Sequence, residues 1–147
     1  MNYIKRKIIL IILFVFCAFS LSAQELVLFE YQEPFGRFKL TLNYDTSSSK
    51  RNYYFFLSYL GEDYQFYRSI TLNIDGNDHW ILFTNITQDW SGYSTETYRT
   101  GYISDETKTA LLRAKNVVFT IDSVRFNRDD TFSLPNDSLA RIKQYIR

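Results

Sequence analysis

The residues able to do chemistry are few in this chain, and their spacing matches no catalytic pattern. His79 is the only histidine and Cys17 the only cysteine, so sites built from several imidazoles or from paired thiolates are excluded. A Ser-His-Asp arrangement would have to use His79, with Asp75 or Asp78 orienting the ring. Both acids sit in what reads as a hairpin turn, and no serine occupies a nucleophile-elbow setting. Asp75, Asn77 and Asp78 offer oxygens that suit calcium, as do Asp129 and Asp130, but the ligand order of an EF-hand is absent. Turns recruit Asp, Asn and Gly for backbone reasons alone. A non-catalytic protein without metal or cofactor is therefore the expectation. A small carboxylate-dependent hydrolase assisted by His79 is the alternative.

Aromatic side chains are the conspicuous surplus, with 12 Tyr, 13 Phe and 2 Trp in 147 residues. A tyrosine or tryptophan combines a flat apolar face with a polar edge, which suits contacts to protein or glycan. Trp80 and Trp90 are the first candidates for a binding face, and Tyr93 and Tyr98 the next. The same rings also favour strands and pair across them, so they could equally be core. Basic residues are scattered, with no cationic face to converge on phosphates, and nucleic acid is not an expected partner.

These candidates would be positioned mainly by strands. Apolar and polar residues alternate strictly over 37–44, as in a strand with one wet face. Further strands are expected over 26–31, 53–60, 64–74, 79–84, 117–121 and 131–134. Residues 53–60 are apolar on both parities and should lie centrally. Arg68 interrupts the apolar parity of 64–74. Asp75-Gly76 between two extended runs is a hairpin signal. A second turn is expected over 85–90, followed by a more exposed strand within 91–103.

Two short helices complete the reading. One starts after Ser104, with Asp105 and Glu106 in its first turn and Ala110, Leu111 and Ala114 on one face. The other follows Pro135, with Leu139, Ile142 and Ile146 at helical spacing. Mainly antiparallel β is thus expected: about eight strands in a sandwich or a partly closed barrel, with two helices, one C-terminal.

The first 23 residues read as a secretory leader. Lys5, Arg6 and Lys7 precede an apolar run over 8–19, and Ser20-Leu21-Ser22-Ala23 leads to cleavage before Gln24. Twelve apolar residues fall short of the roughly 20 that cross a bilayer. Phe16 before Cys17 argues against lipidation. Removing 23 of the 147 residues leaves one 124-residue domain, 24–147, and takes the formal charge from +1 to −2. Cys17 leaves with the leader, so cohesion rests on burial, which suffices at this length. A leader ending in Ala23-Gln24 with no cysteine to follow looks bacterial, so the expected product is an exported interaction module of the bacterial cell envelope, periplasmic or extracellular, with no membrane anchor after cleavage. A structural envelope subunit that associates through a strand edge is a further alternative.

Overall fold

The computed structural model describes residues 25–33, 36–46, 49–124 and 128–147. The expected leader, 1–23, lies outside them. Eight strands run as β1 (Glu25–Glu33), β2 (Gly36–Asp45), β3 (Asn52–Gly61), β4 (Tyr67–Ile74), β5 (Asn77–Trp90), β6 (Ser94–Thr100), β7 (Val117–Ser123) and β8 (Arg128–Ser133). Helix α1 (Asp105–Arg113) joins β6 to β7, and α2 (Asn136–Tyr145) follows β8.

All neighbouring strands are antiparallel, in the order β1-β2-β3-β6-β5-β4-β7-β8. The sheet curls into a half-barrel around the buried parities of its strands: Phe38, Leu40 and Leu42 on β2, Phe55 and Leu57 on β3, Ile70 and Leu72 on β4, Phe119 and Ile121 on β7. Its two outer strands share no ladder among the described residues. Aromatic rings bridge them instead, with Phe29 of β1 lying 4.9 Å from Phe132 of β8 and Phe38 of β2 lying 5.5 Å from the same ring. This is the partly closed barrel, not the sandwich. Burial is the reason: one continuous inner face wraps one core.

Two crossovers give the sheet its order. Residues 62–66 carry the chain from β3 past β6 and β5 to β4 at one end, and α1 carries it from β6 to β7 at the other. Helix α1 begins where the sequence places it. The Ser104 hydroxyl caps it by accepting from the Thr107 N–H at 3.0 Å. Helix α2 closes the same end, where Lys143 Nζ donates to the Ala114 carbonyl at 2.6 Å and the Tyr53 hydroxyl donates to the Tyr145 carbonyl at 3.2 Å. Leu139, Ile142 and Ile146 are buried, as their spacing requires.

Three expectations change. The strand expected from residue 64 begins at Tyr67, and a bulge between Tyr67 and Ser69 turns Arg68 outward to Asp122. Residues 85–90 are not a turn: β5 runs through them to Trp90, and the turn falls at 91–93, with Gly92 at φ 87°. β6 is not an exposed strand either. It lies between β3 and β5 with Ser94, Glu96, Tyr98 and Thr100 buried. β5 misleads a local reading because a bulge between Phe83 and Asn85 breaks its alternation.

The Asp75-Gly76 turn is present, with φ 50° and 93°, the two positive values of a tight hairpin turn. The Asp75 carboxylate accepts from the Asn116 N–H at 2.7 Å and the Lys115 N–H at 3.0 Å, tying this hairpin to the exit of α1. Those two bonds hold its carboxyl below the usual 3.8. A lowered folded pKa gives stability that is complete above 3.8 and fades as pH falls through the folded value. Below pH 3.8, the urea midpoint of the parent should therefore fall more steeply than that of Asp75→Asn. Parallel acid limbs would remove Asp75 as a pH-linked anchor.

Candidate functional site

At the end of the barrel opposite the helices, the crossover over 62–66 is fastened to a buried carboxylate. Glu96 sits on the inner face of β6 and is fully buried. One oxygen accepts from the Gln65 N–H at 2.7 Å. The other accepts from the Tyr98 hydroxyl at 2.6 Å, from Gln88 Nε2 at 2.8 Å and from the Phe66 N–H at 3.4 Å. The Tyr98 hydroxyl in turn accepts from the Tyr67 N–H at 3.2 Å. Burial first, and the Glu96 bond second, push the Tyr98 phenol well above its ordinary value, so it stays a donor. No buried side-chain polar atom among the described residues lacks a partner.

The crossover is held at both flanks as well. Ser123 Oγ donates to the Gln65 carbonyl at 2.6 Å, and the Val124 N–H donates to the Phe66 carbonyl at 3.0 Å. Gln65 Nε2 donates to the Tyr59 hydroxyl at 3.1 Å. That ring lies over Gly61, where an added Cβ would meet the hydroxyl at 2.0 Å, so the position suits glycine. Phe66 holds φ 54°, a left-handed conformation costly for a bulky residue. The strain persists because the bonds on either side fix it, and it aims the Phe66 ring outward.

Above this anchor lies an exposed aromatic cluster. The Tyr64 ring is 5.9 Å from Trp90 and 5.7 Å from Phe66. Trp90, Phe66, Ile86 and Val124 are all exposed. Ile86, Gln88 and Trp90 share the parity that faces Tyr98, Glu96 and Ser94 across β6. The patch therefore continues the inner face of the sheet beyond the point where the core ends.

The sequence candidates divide between surface and core. Trp90 belongs to the cluster and is 54 % exposed, and Tyr93 is exposed in the adjoining turn. Trp80 is the most exposed of them, at 66 %, but it lies on the proximal half of β5 on the outer parity, away from the cluster. Tyr98 is fully buried. As a correction to its candidacy, its ring faces Tyr67 at 5.4 Å and Phe83 at 5.1 Å and cannot present a face to a partner. Tyr64, Phe66 and Glu96 were missed. Only the parity of β6, with Ser94, Glu96 and Tyr98 in step, signals an inward acid.

No protein-family model, curated protein or solved structure matches the chain.

Elsewhere the chemistry-capable groups are engaged in the fold. His79 Nδ1 lies 3.0 Å from the Thr107 hydroxyl, which is 3.0 Å from that of Ser104. Asp75 faces backbone N–H groups, and Asp78 accepts from Asn73 Nδ2 at 2.7 Å. Among the described residues no three His, Cys, Asp or Glu side chains form a metal-holding group, and no helix is long and apolar enough to cross a membrane. Tyr54 and Tyr102 flank Arg99, whose guanidinium lies 4.0 Å and 5.6 Å from their ring centres. Asp45 accepts from the Tyr102 hydroxyl at 2.8 Å, so these outer rings brace β2, β3 and β6.

Proposed function

We propose that this protein is an exported, non-catalytic interaction module of the bacterial cell envelope. In this reading the Tyr64-Phe66-Trp90-Ile86 surface contacts a protein partner. The observation that carries it is the Tyr64-Phe66-Trp90 ring cluster, with Phe66 and Trp90 left in solvent and exposed Ile86 on the same parity of β5, on a backbone that a buried carboxylate holds still. Monomeric proteins seldom leave such clusters exposed without use. Rigid aromatic anchors lose little entropy on binding. Phe66, Ile86 and Val124 favour a protein chain over a glycan, because they add apolar area without the polar groups that sugar hydroxyls need. The engagement of His79, Asp75 and Asp78 within the fold supports a non-catalytic role over a hydrolase.

Replacement of single tryptophans tests the reading. Trp90→Ala and Trp80→Ala should each shift unfolding free energy by no more than about 1 kcal/mol, since exposed positions contribute little to stability. A photo-crosslinking residue placed at Ile86 in producing cells should give a discrete protein adduct. Trp90→Ala should abolish the adduct and Trp80→Ala should leave it. Absence of any adduct in the parent, or its persistence in Trp90→Ala, would refute the assignment.

A further inference from the structure

The distal half of β5 is an unfinished piece of sheet. β4 pairs with β5 only from Asn77 to Leu82, whereas β6 pairs with it from Phe83 to Trp90. Beyond the bulge at Phe83/Asn85, residues 85–90 therefore have a ladder on one side and none on the other among the described residues. All six are exposed, on both parities. A strand exposed on both faces, with one edge outside any ladder among the described residues, is a template for another strand. On this one the Trp90 N–H is held by the Asp89 carboxylate at 2.8 Å. Among the described residues of the strand, the bulge and Asp89 are what guard this edge. It carries no proline and no lysine.

We infer that the edge pairs with a second copy of itself, forming a two-fold antiparallel dimer centred on Gln88. The inference rests on the reading of this surface as an interaction site. The occupant follows from the pattern Ile86-Thr87-Gln88-Asp89-Trp90, which matches itself in reverse. Gln88 faces Gln88 on the axis, two neutral amides. On the inner parity Ile86 meets Trp90 of the other copy, apolar against apolar, twice over. On the outer parity Thr87 meets Asp89, so no like charges are opposed. The adjacent registers are worse: one sets Asp89 against Asp89, the other sets Trp90 against Thr84. The pairing joins two inner faces into one and covers the aromatic cluster from both sides.

The register makes opposite predictions for two changes at one exposed site. Thr87→Lys puts two introduced ammonium groups opposite the two Asp89 carboxylates, and Thr87→Asp puts like charges there. Two favourable cross-strand pairs should tighten dimerisation by about 2- to 30-fold, and two repulsive ones should weaken it by a similar factor. The full chain, purified as the producing cell processes it, would be followed by sedimentation equilibrium. The expected result is a parent dimer, tightened by Thr87→Lys and weakened by Thr87→Asp. A parent that stays monomeric at its highest soluble concentration, or a dimer moved the same way by both changes, overturns the inference. The Ile86 crosslink separates the two failures. Adducts to other proteins alone would keep the interaction site and reject self-pairing, and no adduct at all would reject both.

Discussion

Glu96→Ala should destabilise the protein by about 3–5 kcal/mol, because it strands several hydrogen-bond donors at once. The carboxylate is fully buried and serves four donors: two backbone N–H groups of the crossover, the Gln88 amide and the Tyr98 phenol. An alanine leaves the two backbone N–H groups and the Tyr98 phenol facing a void, while the Gln88 amide can turn to solvent; each buried donor without a partner costs about 1–3 kcal/mol unless water or local movement relieves it. The crossover would loosen first. Phe66 keeps its left-handed backbone only while the bonds around it hold. Glu96→Gln should lose less, about 1–2 kcal/mol, because one carbonyl oxygen remains to accept while its amide opposes donors. Urea unfolding gives both values, and limited proteolysis over 62–66 should rise in Glu96→Ala. A loss below about 1 kcal/mol for Glu96→Ala would mean that the carboxylate does not hold the crossover.

Phe38→Ala should cost a similar 3–5 kcal/mol, for an apolar reason. Phe38 is fully buried on β2, with its ring 5.2 Å from Tyr31, 5.5 Å from Phe132 and 6.2 Å from Tyr67. It links the β1 side of the barrel to the β8 side, where no ladder does among the described residues. Truncation removes the ring contacts and leaves a cavity in the seam, which strands bound to neighbours on their other sides cannot easily close. For a domain of this size the loss should lower the melting temperature by roughly 10–20 °C. Differential scanning calorimetry checks it. An exposed ring such as Tyr93 gives the contrast, since Tyr93→Ala should move the transition only slightly. Equal shifts for the two would mean that the seam is not closed by Phe38.

Together these two expectations separate the roles of a side-chain surplus that looks uniform in the sequence. Phe38, Tyr67 and Tyr98 fill and seal the barrel, Tyr54 and Tyr102 brace its outer face through Arg99, and Tyr64, Phe66 and Trp90 cluster at the far end, where Phe66 and Trp90 are exposed. If the contact surface is the functional one, the sealing residues matter to it only through stability. The Glu96 network matters directly, because it sets where Tyr64 and Phe66 stand relative to Trp90.

Most of the strands, both helices and the Asp75-Gly76 hairpin were legible in the chain, whereas the distal half of β5 was not. Each legible element depends on residues within a few positions of one another: alternation at period two, spacing near 3.6, acidic residues in a helix's first turn, a glycine at positive φ. Leu40, Leu42, Leu139 and Ile142 could be assigned to the core on that basis alone. The tertiary structure decided what depends on distant partners. The order of the strands, the crossover under β5 and β6, and the choice of barrel over sandwich follow from how one inner face is closed. Tyr98 and Trp90 look alike as aromatics on alternating strands, yet one lies where Tyr67 of β4 and Phe83 of β5 cover it and the other lies past the end of β4. Burial at a given position is set by the strands that reach it, and strand reach is not written in local periodicity. For the same reason an acid on β6 reads as a wet residue until the crossover brings it two backbone N–H groups.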